Sequence, residues 1–348
     1  MPDVLRARSL ADLVGVVPIL LGFHPRDSLV AFCLHGPGGR IGFRLRADLP
    51  ELGELTELTE LLAAHLASQQ PDAVVVIAFA EHAGVADEAV AALEAALARH
   101  DVDVCEAARF DGRRAYSLLC DDPGCCPPEG VPCDAATSPM LAEAVFRGVE
   151  VLPDREALER RFAPQSGPLV DEVAAAVSRE RARMVRLRRE LRREGRRTRR
   201  SLETELARAG AQRVRDVLDR LGARGAPGAE EIATLAVWSS LVGVRDVAWA
   251  RIDRATAPDA LGLWRTVATR VPQRWVVAPL CLAAFAAWLS GDGAQAQCAL
   301  DRVEDLDPDC SMAALVQKAL THCLDPRSWE MPGDALGAAG VRESPRVS

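Results

Sequence analysis

Two short stretches of the 348-residue chain hold the side chains that could do chemistry. The first is His24-Pro25-Arg26-Asp27-Ser28. A histidine, a carboxylate and a hydroxyl are the groups of a nucleophile–base relay, which makes His24, Asp27 and Ser28 the catalytic candidates. Such a relay needs three side chains to converge, which close neighbours in sequence rarely do, and no Gly-x-Ser-x-Gly elbow surrounds Ser28. The plainer reading is that Asp27 and Ser28 bond to loop backbone while His24 packs locally.

The second stretch runs from Cys120 to Cys133 and holds Cys120, Cys125, Cys126 and Cys133 as Cys-x4-Cys-Cys-x6-Cys. Four thiolates suffice for a tetrahedral zinc ion, but the paired Cys-x2-Cys knuckles of structural zinc sites are missing. Adjacent cysteines are expected to point apart. The pattern therefore predicts a Pro/Gly-stiffened loop of inert thiols and no cofactor, with zinc or a regulatory thiol pair as alternatives. Arg26 in the first stretch, and Arg114 and Tyr116 ahead of the second, are the candidate ligand-binding residues.

A third feature is electrostatic. Residues 179–200 contain twelve Arg and three Glu, while the whole chain carries a net charge of −8. Arg186, Arg189, Arg193, Arg197 and Arg200 are candidates for meeting nucleic acid or an acidic protein. Val173, Val177, Met184, Leu187 and Leu191 form an apolar seam at near-heptad spacing on the same segment, so one side must pack. Lysines and interleaved aromatics are absent there, and the acidic balance argues against nonspecific nucleic-acid binding by the molecule as a whole. Arg179–Arg200 is thus read first as a solvated helix face.

The elements that must position these groups follow from pattern. Ser9 with Asp12 reads as a capping box, and Leu10, Leu13, Val14, Val17, Leu20 and Leu21 mark one buried helix face. Pro18 predicts a kink or a restarted turn, and Gly22 the left-handed stop. Strands are expected at Ser28–Leu34 and Arg40–Leu49 around a glycine-rich turn, at Ala73–Ala80, and at Val102–Phe110 and Arg114–Leu119 around Asp111-Gly112. Helices are expected at Glu54–Ser68 and Ala86–Arg99. Strand-like runs stop near residue 120. Beyond it lie a long helix at Leu169–Gly195 and helices at Glu230–Leu241, Arg245–Ile252, Ala260–Thr269, Gln273–Leu289, Ala294–Leu306 and Ser311–Leu324.

Seven of the eight Phe precede residue 163 and all six Trp follow residue 237, so the halves differ in class. The prediction is an α/β or α+β N-terminal domain with a mixed sheet, residues 1–150, followed by the arginine-rich helix and connecting helices, 151–228. An all-α domain over 229–331 and a disordered tail over 332–348 complete it. No Gly-x-Gly-x-x-Gly or P-loop is present. No run of apolar residues is long enough for a membrane span, and the N-terminal apolar stretch lacks a cleavage site. Ten cysteines without a secretion signal point to reduced thiols in the cytoplasm.

Leu21-Gly22-Phe23-His24-Pro25 with Asp27-Ser28-Leu29-Val30, and Arg114-Ala115-Tyr116-Ser117-Leu118-Leu119-Cys120 with Cys125-Cys126-Pro127 and Glu129-Gly130, resemble two signatures of an actinobacterial family, domain of unknown function 4192. Val244-Arg245-Asp246 and the C-terminal helices extend the resemblance over most of the chain. It implies a fold and no catalytic residues, and Cys133 has no place in its pattern. Trp288-Leu289-Ser290-Gly291-Asp292-Gly293-Ala294-Gln295-Ala296 resembles one tetratricopeptide turn, so the C-terminal domain is TPR-like. Three functions follow as expectations. The leading one is a non-catalytic binding or scaffold protein with a protein partner on its helices. The others are a hydrolase-like enzyme at the two loops and a nucleic-acid-associated protein. Whether the two loops lie side by side bears directly on the second.

Overall fold

The computed structural model describes residues 7–50, 52–134, 138–193 and 198–329. Its contacts divide the chain into two compact units, Met1–Ala157 and Leu158–Ser348. Arg197 and the tail from 332 lie outside the described residues.

The first unit opens with α1 (Leu10–Leu21), capped by the Ser9 hydroxyl, which accepts from the Asp12 N–H. The Asp12 carboxylate reaches the N–H of Arg8, one residue before the expected partner. The helix runs on through Pro18 without a break, and Gly22 ends it at φ 79°, where a Cβ would be strained. Strands β1 (Ser28–His35) and β2 (Arg40–Asp48) then form an antiparallel hairpin. Helix α2 (Leu55–Ser68), β3 (Ala73–Phe79), α3 (Gly84–Ala98), β4 (Val104–Phe110) and β5 (Arg114–Ser117) follow. A strand that periodicity did not show, β6 (Val131–Pro132), and α4 (Pro139–Phe146) complete the unit, with α5 (Arg155–Arg160) at the division. Two residues of strand give no alternation to read; pairing with β5 creates β6.

The sheet order is β2-β1-β3-β4-β5-β6. It is mixed: β3 pairs antiparallel with β1 and parallel with β4. Its faces alternate as strand geometry requires. Leu29, Ala31, Cys33, Val74, Val76 and Ala78 meet Leu62, Leu66, Val90, Leu93 and Leu97 of α2 and α3. Val30, Phe32, Val75, Ile77, Phe79 and Phe110 meet Val14 and Val17 of α1. Both faces of β3 are covered, which is why Val74–Phe79 reads as a continuous apolar run.

The second unit is helical: α6 (Pro168–Arg193), α7 (Arg199–Arg224), α8 (Ala229–Ser239), α9 (Val242–Trp249), α10 (Ala257–Arg270), α11 (Val277–Leu289), α12 (Gly293–Glu304) and α13 (Ser311–Thr321). Helix α6 packs on α8, and α7 on α8 and α9. Along α6 only Val173, Ala176, Val177 and Glu180 are buried; Met184, Leu187 and Leu191 of the expected seam are half-buried. No single helix among the described residues is long and apolar enough to cross a membrane. Helix α8, buried from Ile232 to Ser239, and α9 reach that length only together, across a bend of 118°.

Glu180 is the residue that composition hid. Its side chain is 1 % exposed. Oε1 accepts from Trp238 Nε1 at 2.6 Å and Arg213 Nε at 3.0 Å, and Oε2 accepts from Arg183 at 2.6 Å. One carboxylate thus ties α6, α7 and α8 together. Beside it, Gly210 of α7 lies so close to Trp238 that a Cβ would overlap the indole and stand 3.0 Å from Val244 Cγ2.

Two outcomes in chemical denaturation are expected. Glu180→Ala leaves a buried indole N–H and a guanidinium without an acceptor and costs about 3 kcal/mol, whereas Glu180→Gln, keeping an acceptor, costs roughly half of that. Gly210→Ala gains about 1 kcal/mol of helix propensity but overpacks a fully buried Trp, so it destabilises by a net ~1–2 kcal/mol. A stabilised Gly210→Ala would show that α7 and α8 are not in the close contact described.

Candidate functional site

The turn into β1 is built by backbone. His24 N–H donates to Leu152 O at 3.1 Å, and Leu152 N–H donates to Gly22 O at 2.8 Å, pinning the turn to the segment after α4. Asp27 takes φ 43°, and its carbonyl accepts from Leu49 N–H at 2.9 Å, closing the open end of the hairpin. Ser28 is fully buried. Its hydroxyl donates to Arg26 O at 2.5 Å and accepts from Arg46 Nε at 2.9 Å. Arg46 in turn pairs with Asp48 at 2.5 Å. The Ser28 Oγ therefore has both roles filled by neighbours other than His24. His24 is half-buried, and burial, helped by the Arg26 charge, lowers its pKa and favours the neutral ring. Arg26 and Asp27 face solvent.

The cysteine loop is mounted on β5. The turn between β4 and β5 is held by Asp111, whose Oδ1 accepts the N–H of Arg113 at 2.8 Å and of Arg114 at 2.7 Å. Its Oδ2 accepts from the Tyr116 hydroxyl at 2.9 Å. Burial pushes this carboxyl up, but the N–H groups of Arg114 and Arg113, the Tyr116 hydroxyl and the Arg109 charge outweigh it and hold the pKa below the usual value. Arg109, paired with Asp87 of α3 at 3.0 Å, lies 4.2 Å from the centre of the Tyr116 ring. The opposite limb of the loop is clasped by Arg114, whose guanidinium donates to the carbonyls of Glu129 and Gly130. Gly130, at φ 77°, packs so closely on the Tyr116 ring that a Cβ would stand 2.7 Å from it. Arg114 and Tyr116, candidates for a ligand, thus hold the loop itself.

Within the loop, Asp122 O accepts from the N–H of Cys125 at 3.0 Å and of Cys126 at 2.7 Å. That turn brings adjacent cysteines to one side, contrary to the expectation that they diverge: their Sγ atoms lie 3.9 Å apart. Cys120 joins them, and the three Sγ atoms all fall within 4.8 Å of one another. The Cys126 thiol is pushed up to about 11, first by its hydrogen bond with Cys120, then by burial and by Cys125. Cys133 stands apart, buried at the start of α1, where its thiol donates to Ala11 O at 3.7 Å.

The two loops are separate. Strands β3 and β4 lie between β1 and β5, placing their starting points about 14 Å apart across the sheet at the usual strand spacing. The His24–Ser28 turn enters where β3 ends, since Ser28 pairs with Phe79. Strand β5 leads the other way, with Ser117 opposite Ala108 and Leu118 N–H on Ala107 O, so the cysteine loop leaves the sheet heading away from the end where the β1 turn enters.

In the helical unit, Arg186, Arg188, Arg189, Arg192 and Arg193 are exposed and have no ion-pair partner among the described residues, whereas Arg179 pairs with Glu230 at 2.5 Å and Arg183 with Glu180. Arg200 is exposed on α7, next to Arg199, which pairs with Glu203 at 2.8 Å. A cleft of about 580 Å³ between α6, α7 and the start of α8 is lined by Glu172, Arg179, Arg220, Glu230 and Glu231. Its arginines face its own glutamates, so its charges are internally matched. A second thiol pair lay too far apart in sequence to be read: Cys281 of α11 and Cys310, at the N-cap of α13, approach to 3.5 Å. Cys310 is lowered to about 6 by the Cys281 hydrogen bond, against its burial and with the help of the Ala313 and Met312 N–H groups.

A family model matches residues 11–327, so the β1 turn, the cysteine loop, the arginine helix and both units fall inside one match. The chain belongs to that family, described as Domain of unknown function (DUF4192). No curated protein and no solved structure matches the chain. The DUF4192 match reaches from α1 to Arg327, just beyond α13, so the sheet unit and the helical unit belong to one family architecture.

Asp111 gives a pH test of the loop mount. Its lowered pKa means the carboxylate stabilises the fold fully above the unfolded value of about 3.9 and loses that contribution as pH falls through the native value. Asp111→Asn should cost at most about 1 kcal/mol at pH 7, since water screens a half-exposed turn, and the gap between the urea midpoints of variant and wild type should narrow as pH falls through the native value. A gap that stays equal as pH falls would show that the charge plays no part.

Proposed function

We propose that this protein is a non-catalytic binding or scaffold protein of the cytoplasm whose helical unit docks an acidic protein partner along α6. The observation that carries this reading is the run of exposed arginines at Arg186, Arg189 and Arg193, unpaired among the described residues, on a helix anchored at its middle by buried Glu180. An arginine face whose guanidinium groups are not ion-paired among the described residues keeps its charge for a second molecule. The committed Ser28 hydroxyl and the separation of the two loops favour binding over hydrolysis. All ten cysteines are free, which suits a reducing compartment.

The test combines cross-linking with charge reversal. In-cell cross-linking and mass-spectrometric mapping should place a partner's acidic segment on α6. The triple variant Arg186→Glu, Arg189→Glu, Arg193→Glu should lose that partner by at least about tenfold in affinity with its melting temperature unchanged. Partner binding indifferent to the reversal would sink the proposal. Tight binding of single- or double-stranded nucleic acid by the wild type, falling steeply with salt, would replace it with the nucleic-acid reading.

A further inference from the structure

We propose that Cys120, Cys125 and Cys126 form a three-thiolate site for a thiophilic divalent cation, with Zn²⁺ the natural occupant and the fourth position open to solvent or a second ligand. The inference is independent of the partner-binding reading, because the site lies in the sheet unit.

Its basis is convergence. A tetrahedral zinc ion with Zn–S bonds of about 2.3 Å sets its sulfurs roughly 3.8 Å apart. Cys125 and Cys126 already stand at 3.9 Å, and the cluster as a whole fits within 4.8 Å, so closing on an ion takes about 1 Å of sulfur movement. Rotation about the cysteine side-chain bonds supplies that without moving backbone. Neighbouring cysteines reach one ion here because both of their N–H groups bond to Asp122 O, a turn that folds them onto the same side.

The support is built as well. Pro123, Pro127 and Pro128 restrict the loop, Arg114 fixes the carbonyls of Glu129 and Gly130, and Tyr116 closes on Gly130. A cluster held this way loses little chain entropy when it takes an ion. Cys125 is exposed and the other two half-buried, so solvent and a hydrated cation can enter. A disulfide is the competing fate of close thiols, but it would use two sulfurs and strand the third. The geometry offers three. Binding replaces three S–H protons with one cation and releases the protons to solvent, so affinity rises with pH.

The experiment titrates the reduced full-length chain with Co²⁺, whose thiolate charge-transfer absorption reports sulfur ligation, then displaces it with Zn²⁺ and measures zinc against a chromophoric chelator. One ion per chain is expected. Cys120→Ser, Cys125→Ser and Cys126→Ser should each weaken binding by tenfold or more with an unchanged circular dichroism spectrum, while Cys133→Ser should bind like wild type. The proposal fails if the wild type gives no charge-transfer band, if the band survives undiminished in Cys125→Ser and Cys126→Ser, or if Cys133→Ser abolishes it equally. A disulfide within the loop on mass spectrometry, with no metal uptake after reduction, would also overturn it.

Discussion

The helical unit depends on one buried carboxylate. Glu180 stands 1 % exposed at the meeting of α6, α7 and α8 and satisfies an indole and two guanidinium groups at once. A carboxylate in such a place is costly unless it is paired and hydrogen-bonded, and here three donors meet its two oxygens. It also fixes rotation. With Glu180 turned inward beside Val173 and Val177, the arginines of the following turns are carried outward. The surface charge of α6 is therefore a result of its core contact.

In the sheet unit the equivalent constraint is β3. Buried on both faces and bonded on both edges, it leaves chemistry only to the margins, where β1 begins and where β5 ends. Those margins carry the two stretches of unusual residue types. At the first, polar side chains are consumed in closing the hairpin. At the second, Asp111, Arg114 and Tyr116 are consumed in holding a loop whose thiols remain uncommitted.

Most of the elements were legible in the sequence because each had a strong local signal. The Ser9 cap, the Gly22 stop, the β-rich run of β1 and the Asp111-Gly112 turn all act within a few residues. What escaped needed information from afar. Strand β6 exists only through its pairing with β5, and Cys281 meets Cys310 across most of two helices. Glu180 was one of three acids in an arginine-rich run, with nothing local to mark it as buried. The divergence expected of Cys125 and Cys126 holds for extended chain, but a turn around Asp122 reverses it. Pro18 predicts a kink or a restarted turn, and the helix continues through it for its last turn, where Gly22 N–H reaches Pro18 O at 2.9 Å.

The cysteine loop departs and returns through adjoining backbone. Leu118 N–H bonds to Ala107 O as the chain leaves, and Cys133 N–H bonds to Arg113 O as it comes back. Both anchors belong to the β4–β5 hairpin, and of the chain between them only Val131–Pro132 pairs into the sheet as β6. Closure entropy grows only as the logarithm of length, about 0.6 kcal/mol for each doubling. The loop is in that sense a cassette: length added between Leu119 and Glu129 would cost the fold little, while the hairpin beneath it and its pairing with β6 keep their register.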